Sequence, residues 1–374
     1  LIEAPRPELY DLAADAGEAH DRAAERPSSV ADLRRKLQAV RSRSAPVAKA
    51  EVDPQTAQRL AALGYLGGGR SRAAAPPDRR RDPKDGVHLL PRLNRGMSAA
   101  RTEPDVAIRE LTAVLQEDPG LLMARRTRAV AYTAAGRHEL AIAELRGLEK
   151  EGALGAEDGI VLGDNLRFAG RLEEAALVLS RTAQENPAFA QPWLSLAEVH
   201  VKQRNNAEAN RAFEHALSLA PDHIEALRGL GDVALLEEKL DTAASRYGRI
   251  LEVDPGDAGA MTKLGVVKMR TGRADEAEAL FRRAVEREPE SGEALLYLAG
   301  ALASGGRPAE ALPFFERALA AGQRSSMTLN GLGLARLALG DRPGAAAAFR
   351  ESLRLDRKQP DVARTLAEIG AASR

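Results

Sequence analysis

AQPWLSLAEVHVKQRNNAEANRAFEHALSLAPDH, residues 190–223, decides the fold. Trp193, Leu196 and Ala197 recur at helical spacing, and so do Ala209, Phe213 and Ala216 further on. Each set makes one apolar stripe, so the stretch reads as two amphipathic helices. Ala197 and Ala209 are small enough for two backbones to approach closely, with bulk above and below that contact. Pro221 stops the second helix, because its ring removes an N–H and clashes with the preceding turn.

Sliding the sequence by 34 residues keeps one register from His88 to Gln359, eight units with no insertion or deletion. Counting places from His88, place 20 is always Ala: Ala107, Ala141, Ala175, Ala209, Ala243, Ala277, Ala311 and Ala345. Place 24 is always large and apolar: Leu111, Leu145, Leu179, Phe213, Tyr247, Phe281, Phe315 and Phe349. From the third unit on, place 7 is Leu (Leu162, Leu196, Leu230, Leu264, Leu298, Leu332), followed at place 8 by Gly or Ala. Gly136, Gly170, Gly272, Gly306 and Gly340 at place 15 suit the left-handed residue that ends a helix. Pro119, Pro187, Pro221, Pro255 and Pro289 mark the ends of five units.

This pattern resembles the tetratricopeptide repeat, a 34-residue helix–turn–helix unit, over roughly three quarters of the chain. The resemblance implies an all-α fold, a right-handed superhelical solenoid of eight helix pairs over 88–359. A capping helix and tail are expected over 360–374. Val362, Leu366 and Ile369 in it should close the last core face, leaving Asp361, Arg364 and Glu368 in water.

Composition narrows the rest. Lys plus Arg and Asp plus Glu are 54 each, so the net charge is zero and the electrostatic footprint of a nucleic-acid binder is missing. The longest apolar run, 294–303, is far below the roughly 18 residues of a membrane span. Absence of Cys removes disulfides, thiolate metal sites and a cysteine nucleophile. The chain starts at Leu1 without the layout of a signal peptide, so a truncated start is expected.

Residues 1–87 do not follow the repeat. Glu8-Leu9-Tyr10-Asp11-Leu12 reads as extended, entering a turn capped by Asp15 and Glu18. Ser29 to Val40 reads as a helix capped by Ser29, and Asp53-Pro54 starts another that Gly64 ends. Residues 69–87 read as a flexible linker. The segment 1–68 resembles the carboxyl end of a bacterial sulfatase of the alkaline-phosphatase superfamily, through Glu8 to Leu12, Asp15, Glu18 and Leu63-Gly64-Tyr65. Ala16 and Asp21 replace that family's Pro and Asn. The resemblance implies a catalytic domain upstream of Leu1, with a Cys/Ser-x-Pro-x-Arg motif matured to formylglycine and a calcium site. It also implies a periplasmic or exported protein. Ser44-Ala45-Pro46-Val47-Ala48 lacks the motif's Arg, so neither cofactor is expected in this chain.

Other chemistry gives way to packing. Gly229-Leu230-Gly231-Asp232-Val233-Ala234 matches a dinucleotide fingerprint, but it lies inside a first helix whose N–H groups are already bonded. His20, His88, His138, His200, His215 and His223 include no pair four apart, so no helix face offers paired imidazoles for zinc.

What can bind is the concave surface, at places 2, 5, 9, 12 and 13 of each first helix. Its candidate residues are Arg92, Arg126, Asp164, Arg167, Glu198, Lys202, Arg228, Asp232, Thr262 and Arg270. No unit has Asn at place 9, which argues against a carboxylate clamp of the kind tetratricopeptide domains use for chaperone C-termini. Asn94 and Arg95 replace the Leu and Gly of the first unit, and Arg125 and Arg128 replace core residues of the second. These arginines either cover a solenoid end with their stems or dock against an acidic surface such as the upstream domain. The expected partner is a protein or peptide held in the groove. Active sulfuric-ester hydrolysis by a longer parent, and a spacer role, stay open.

Overall fold

A computed structural model describes residues 7–11, 14, 19–43 and 83–371. Among these are eighteen α-helices, one 3₁₀ helix and no strand beyond a single bridge residue, Glu8. Helix α1 (Pro27–Arg43) starts two residues before the expected Ser29, because Pro27 takes the first helical place, where a missing N–H costs nothing. Val30 is its buried contact, while Val40 is exposed. The expected turn at Asp15 and Glu18 and the helix from Asp53 lie outside the described residues. A 3₁₀ helix, Pro83–Leu89, takes the last residues assigned to the linker and the first two of the repeat.

Two helices to each 34-residue unit follow. They are α2 (Leu90–Ala99) with α3 (Pro104–Glu117), α4 (Leu122–Ala134) with α5 (His138–Lys150), α6 (Ala156–Phe168) with α7 (Leu172–Glu185), and α8 (Ala190–Lys202) with α9 (Asn206–Leu219). Then come α10 (Ile224–Leu236) with α11 (Leu240–Val253), α12 (Ala258–Arg270) with α13 (Ala274–Arg287), α14 (Gly292–Ser304) with α15 (Pro308–Ala320), and α16 (Ser326–Ala338) with α17 (Arg342–Leu355). Helix α18 (Pro360–Ala371) ends the described chain. The described residues up to 199 form one compact unit and those from 200 another, the division falling inside α8.

The register of the sequence is the register of the core. All eight place-20 alanines are 0 % exposed, and all eight place-24 residues are buried. Where place 8 is Gly, as in four pairs, the place-24 side chain lies over it. A Cβ added to Gly163 would sit 2.4 Å from Leu179, one on Gly265 2.5 Å from Phe281, and one on Gly333 2.5 Å from Phe349. The opposite face meets place 6 of the next pair: a Cβ on Gly229 would lie 2.2 Å from Phe213, and one on Gly331 2.4 Å from Phe315. The Gly229–Gly231 fingerprint is therefore ring packing, one glycine for Phe213 and the other for Tyr247.

The first pair departs from this register. The glycine that meets Leu111 is Gly96, at place 9, with a built Cβ 2.6 Å from Leu111 Cγ. Helix α2 has slid by one residue, so Asn94 and Arg95 stand at the surface instead of the core. Arg95 pairs there with Glu110 at 3.2 Å.

Left-handed residues end the first helices. Gly136, Gly170, Gly272, Gly306 and Gly340 have φ between 69° and 83°. Arg204 and Glu238 fill the same place in the fourth and fifth pairs at φ 58° and 59°, without the freedom glycine has. At the other end, Ile369 of α18 joins Ala345, Ala346 and Phe349 in a buried cluster, with Val362 and Leu366 half-buried against it. Asp361, Arg364 and Glu368 are exposed, so the last core face is covered by a helix that turns its charges outward.

Candidate binding face

Much of what the sequence offers as groove is taken up within the repeat. Place 5 is the clearest case. Thr262 is not at the surface: it is 2 % exposed, and its hydroxyl donates to Ala258 O at 2.8 Å. Ile160, Leu194 and Leu296 at the same place are buried as well. Arg126, Arg228 and Asn330 at this place instead hold the start of the element that follows their pair. Arg126 Nε lies 2.9 Å from Asp158 Oδ2 and its Nη2 donates to Ala153 O at 2.7 Å. Arg228 Nη2 lies 2.6 Å from Asp257 Oδ2, and Asn330 donates to Gln359 at 2.6 Å. Asp257 also caps α12, accepting from Ala260 N at 2.6 Å. Burial opposes its charge, but Arg228 and that N–H outweigh burial and hold the carboxyl below its ordinary range.

Places 9, 12 and 13 are more open. In the first unit Arg167 lies between two carboxylates, 3.4 Å from Asp164 and 3.1 Å from Glu198, with its guanidinium over the exposed Phe168 ring at 4.4 Å. His138 stacks on Phe168 at 5.1 Å. Desolvation pushes the Asp164 carboxyl up, and Arg167 offsets this only in part. Glu198 is half-exposed and Arg92 is exposed without an ion pair among the described residues. In the second unit Lys202 is exposed. Asp232 accepts from the Tyr247 hydroxyl at 2.7 Å, and Arg270 reaches back to Glu238 at 3.0 Å and Leu235 O at 3.3 Å. Burial, with Asp232 beside it, drives the Tyr247 phenol well above its usual range.

The docking reading of Arg125 and Arg128 meets two guanidiniums already engaged. Arg125 Nε donates to Glu144 at 3.0 Å and its Nη1 to both Glu151 oxygens at 2.8 Å. Arg128 pairs with the other Glu144 oxygen and donates to Thr112 Oγ1 at 3.2 Å. Their side chains are 13 % and 19 % exposed, so the charges neither reach water freely nor face a partner. A cleft of about 180 Å³ beside them is lined by Thr112, Leu115, Gln116, Pro119 and this network.

Two features escaped the sequence reading. Asn165 is fully buried, its amide donating to Thr133 Oγ1 at 2.8 Å and Val161 O at 2.7 Å, its oxygen 2.9 Å from His138 Nδ1. A polar residue at place 10, otherwise Val or Ala from the second pair on, was the signal. The other is an apolar band at places 9 and 12 of the last three pairs, overlooked because charge was taken as the mark of a binding face. Among the described residues no helix is long and apolar enough to cross a membrane, and no group of His, Cys, Asp and Glu could hold a metal.

With this geometry in place, the comparisons identify the repeat over part of the chain. A tetratricopeptide repeat model matches residues 194–258 and 262–326, and a second matches 234–285. Over 194–326 the helix pairs match tetratricopeptide repeats, and the all-α fold of successive helix pairs is that of an α-solenoid. The fold is similar to that of pilF from Pseudomonas aeruginosa, at 18 % identity and TM-score 0.53, over 57 % of this chain and 97 % of that one. It is also similar to a chain of the Cut9–Hcn1 hetero-tetramer, at 15 % identity and TM-score 0.55, over 84 % of this chain and 58 % of that one. PilW, a type IV pilus biogenesis factor, aligns at 18 % identity and TM-score 0.50, over 56 % of this chain and 98 % of that one. No curated protein matches the sequence. Tetratricopeptide repeats are in general protein-interaction scaffolds, and the fold suggests a protein or peptide partner.

Proposed function

We propose that this chain is a scaffold that holds a protein or peptide segment against the face formed by its first helices. The observation that carries it is the contrast between places. Place 20 and place 24 are buried in every pair, whereas places 9 and 12 leave side chains such as Asp164, Glu198 and Leu334 in contact with water. A preformed face of this kind binds without having to order itself. Random peptides displayed on phage and selected on the full chain test the reading, with hydrogen exchange mapping what they cover. Protection is expected in the first helices. Protection confined to the second helices, or no enriched peptide, would contradict it.

A second reading concerns residues 1–68, as the end of a sulfatase-like catalytic domain, with 69–87 as linker, 88–359 as repeats and 360–374 as cap. Its support is the run Glu8-Leu9-Tyr10-Asp11-Leu12 with Asp15 and Glu18, while Asp21 departs from that family's Asn. Asp21 Oδ1 accepts from Leu9 N and Ala23 N, each at 2.9 Å, and Arg22 N donates to Leu9 O at 2.8 Å. Asp21 thus closes the segment onto itself. On this reading the upstream domain is a partner, sulfuric-ester hydrolysis, calcium and formylglycine belong to it, and the protein is exported. The gene upstream of Leu1 is then expected to encode Cys/Ser-x-Pro-x-Arg, and a reading frame without it would end this reading.

A further inference from the structure

The first-helix face of the second unit changes character along the stack. Places 9 and 12 are Asp232 and Leu235 in α10, then Val266 and Met269 in α12, Gly300 and Ala303 in α14, and Leu334 and Leu337 in α16. Helix α12 touches α14, and α14 touches α16, so the last six residues make one band three helices wide. Val266, Met269, Ala303 and Leu337 are half-buried, while Leu334 is 57 % exposed.

Every charge beside this band already has a partner. Lys263 lies 2.9 Å from Glu293, Arg270 is held by Glu238, Arg228 by Asp257, and Asp232 by the Tyr247 hydroxyl. A charged occupant would lose its hydration and find no counter-charge, so the complement of this surface is neutral and apolar.

Gly300 lies at the centre of the band. Helical glycine costs about 1 kcal/mol relative to alanine. Gly229, Gly231, Gly265, Gly331 and Gly333 offset that cost by making room for a ring, but a Cβ on Gly300 would have nothing within 4 Å. Gly248 is similarly open, but it lies on the second helix α11, away from this face. The missing side chain leaves open space over α14, the helix that touches both α12 and α16.

We infer that this band binds an uncharged, apolar segment of a protein partner, which places one bulky side chain over Gly300. The inference rests on the scaffold reading and names its ligand class. Gly300→Leu fills this open space and should keep or raise thermal stability, so it separates binding from folding. Leu334→Asp, at an exposed position, is the second variant, and Arg350→Ala, at an exposed position of the second helix α17, is the control.

Peptides selected on the full chain are labelled and titrated by fluorescence anisotropy. Enriched sequences are expected to carry bulky apolar residues without charge. Their affinity should fall roughly tenfold or more with G300L and with L334D, as when a central anchor is excluded, and stay unchanged with R350A. Charged enriched peptides, or apolar ones indifferent to G300L, would overturn the inference and leave the scaffold reading standing. No enriched peptide at all would overturn both.

Discussion

Gly265→Ala tests the interlock that sets the fold. Phe281 is gripped between Gly265 of its own pair and Tyr297 of the next, on which it stacks at 5.6 Å. A Cβ on Gly265 would lie 2.5 Å from Phe281 Cε1 and 2.9 Å from Cδ1 and Cζ. Carbon contacts prefer about 3.5–4.0 Å, so the ring must move by roughly 1 Å. Overpacking of that size costs about 1–3 kcal/mol, against a helix-propensity gain of about 1 kcal/mol. The net expectation is a loss of about 1 kcal/mol. Around Phe315 the arrangement is reversed, with Ala299 at place 8 and Gly331 at place 6 of the next pair. The double variant G265A/Y297G copies that arrangement around Phe281. Its two changes should couple favourably by about 1–2 kcal/mol, because the ring can then lean the other way. Stacked hairpins need not unfold together, so native-state hydrogen exchange at amides of α12 to α15 is the suitable assay. Strict additivity, or a G265A variant more stable than the parent, would refute the reasoning.

Four further outcomes follow from the same geometry. Arg204→Gly and Glu238→Gly remove a left-handed non-glycine residue and should each raise stability by about 0.5–1 kcal/mol in urea denaturation, whereas Gly272→Ala should lower it. Gly300→Ala, with open space at its Cβ, should gain about 1 kcal/mol on the same measure. Glu144→Gln leaves Arg125 and Arg128 largely buried with half their counter-charge gone; a loss of about 2–4 kcal/mol is expected, and little change would show the network to be solvated. Asp164 and Asp257 should respond oppositely to acid. The raised Asp164 carboxyl costs stability while charged, and that cost is relieved as pH falls through its folded value, so D164N should remove a stabilising trend on acidification. The depressed Asp257 carboxyl contributes stability above its unfolded pKa that is lost as pH falls through its folded value, so D257N should abolish a destabilising trend; urea midpoints across the acid range distinguish the two.

The fold was legible because helix packing imposes one phase on every pair, and eight copies of Ala at place 20 and bulk at place 24 state it repeatedly. The alternation of glycine around each ring was also present, as Gly265 with Tyr297 and Ala299 with Gly331. The one-residue slide of α2 was not, since Gly96 acquires its role only by touching Leu111. The binding face was legible in outline alone. Places identify a helix face, but whether a charge on it is free depends on partners about thirty residues away, as with Arg228 and Asp257 or Lys263 and Glu293. Thr262 reads as polar and outward, yet its hydroxyl bonds its own helix and is buried. Arg125 and Arg128 read as surface arginines until Glu144 is seen between them.

Photo-cross-linking asks most directly whether the first helices are where this protein meets its partners. Benzoylphenylalanine is placed at Asp232 and Leu334 on first helices and at Leu177 and Arg350 on second helices, and each variant is irradiated with a selected binding peptide. Adducts from Asp232 or Leu334 and none from the other two are the expected result. Adducts from Leu177 or Arg350, with the first helices unlabelled, would contradict the account.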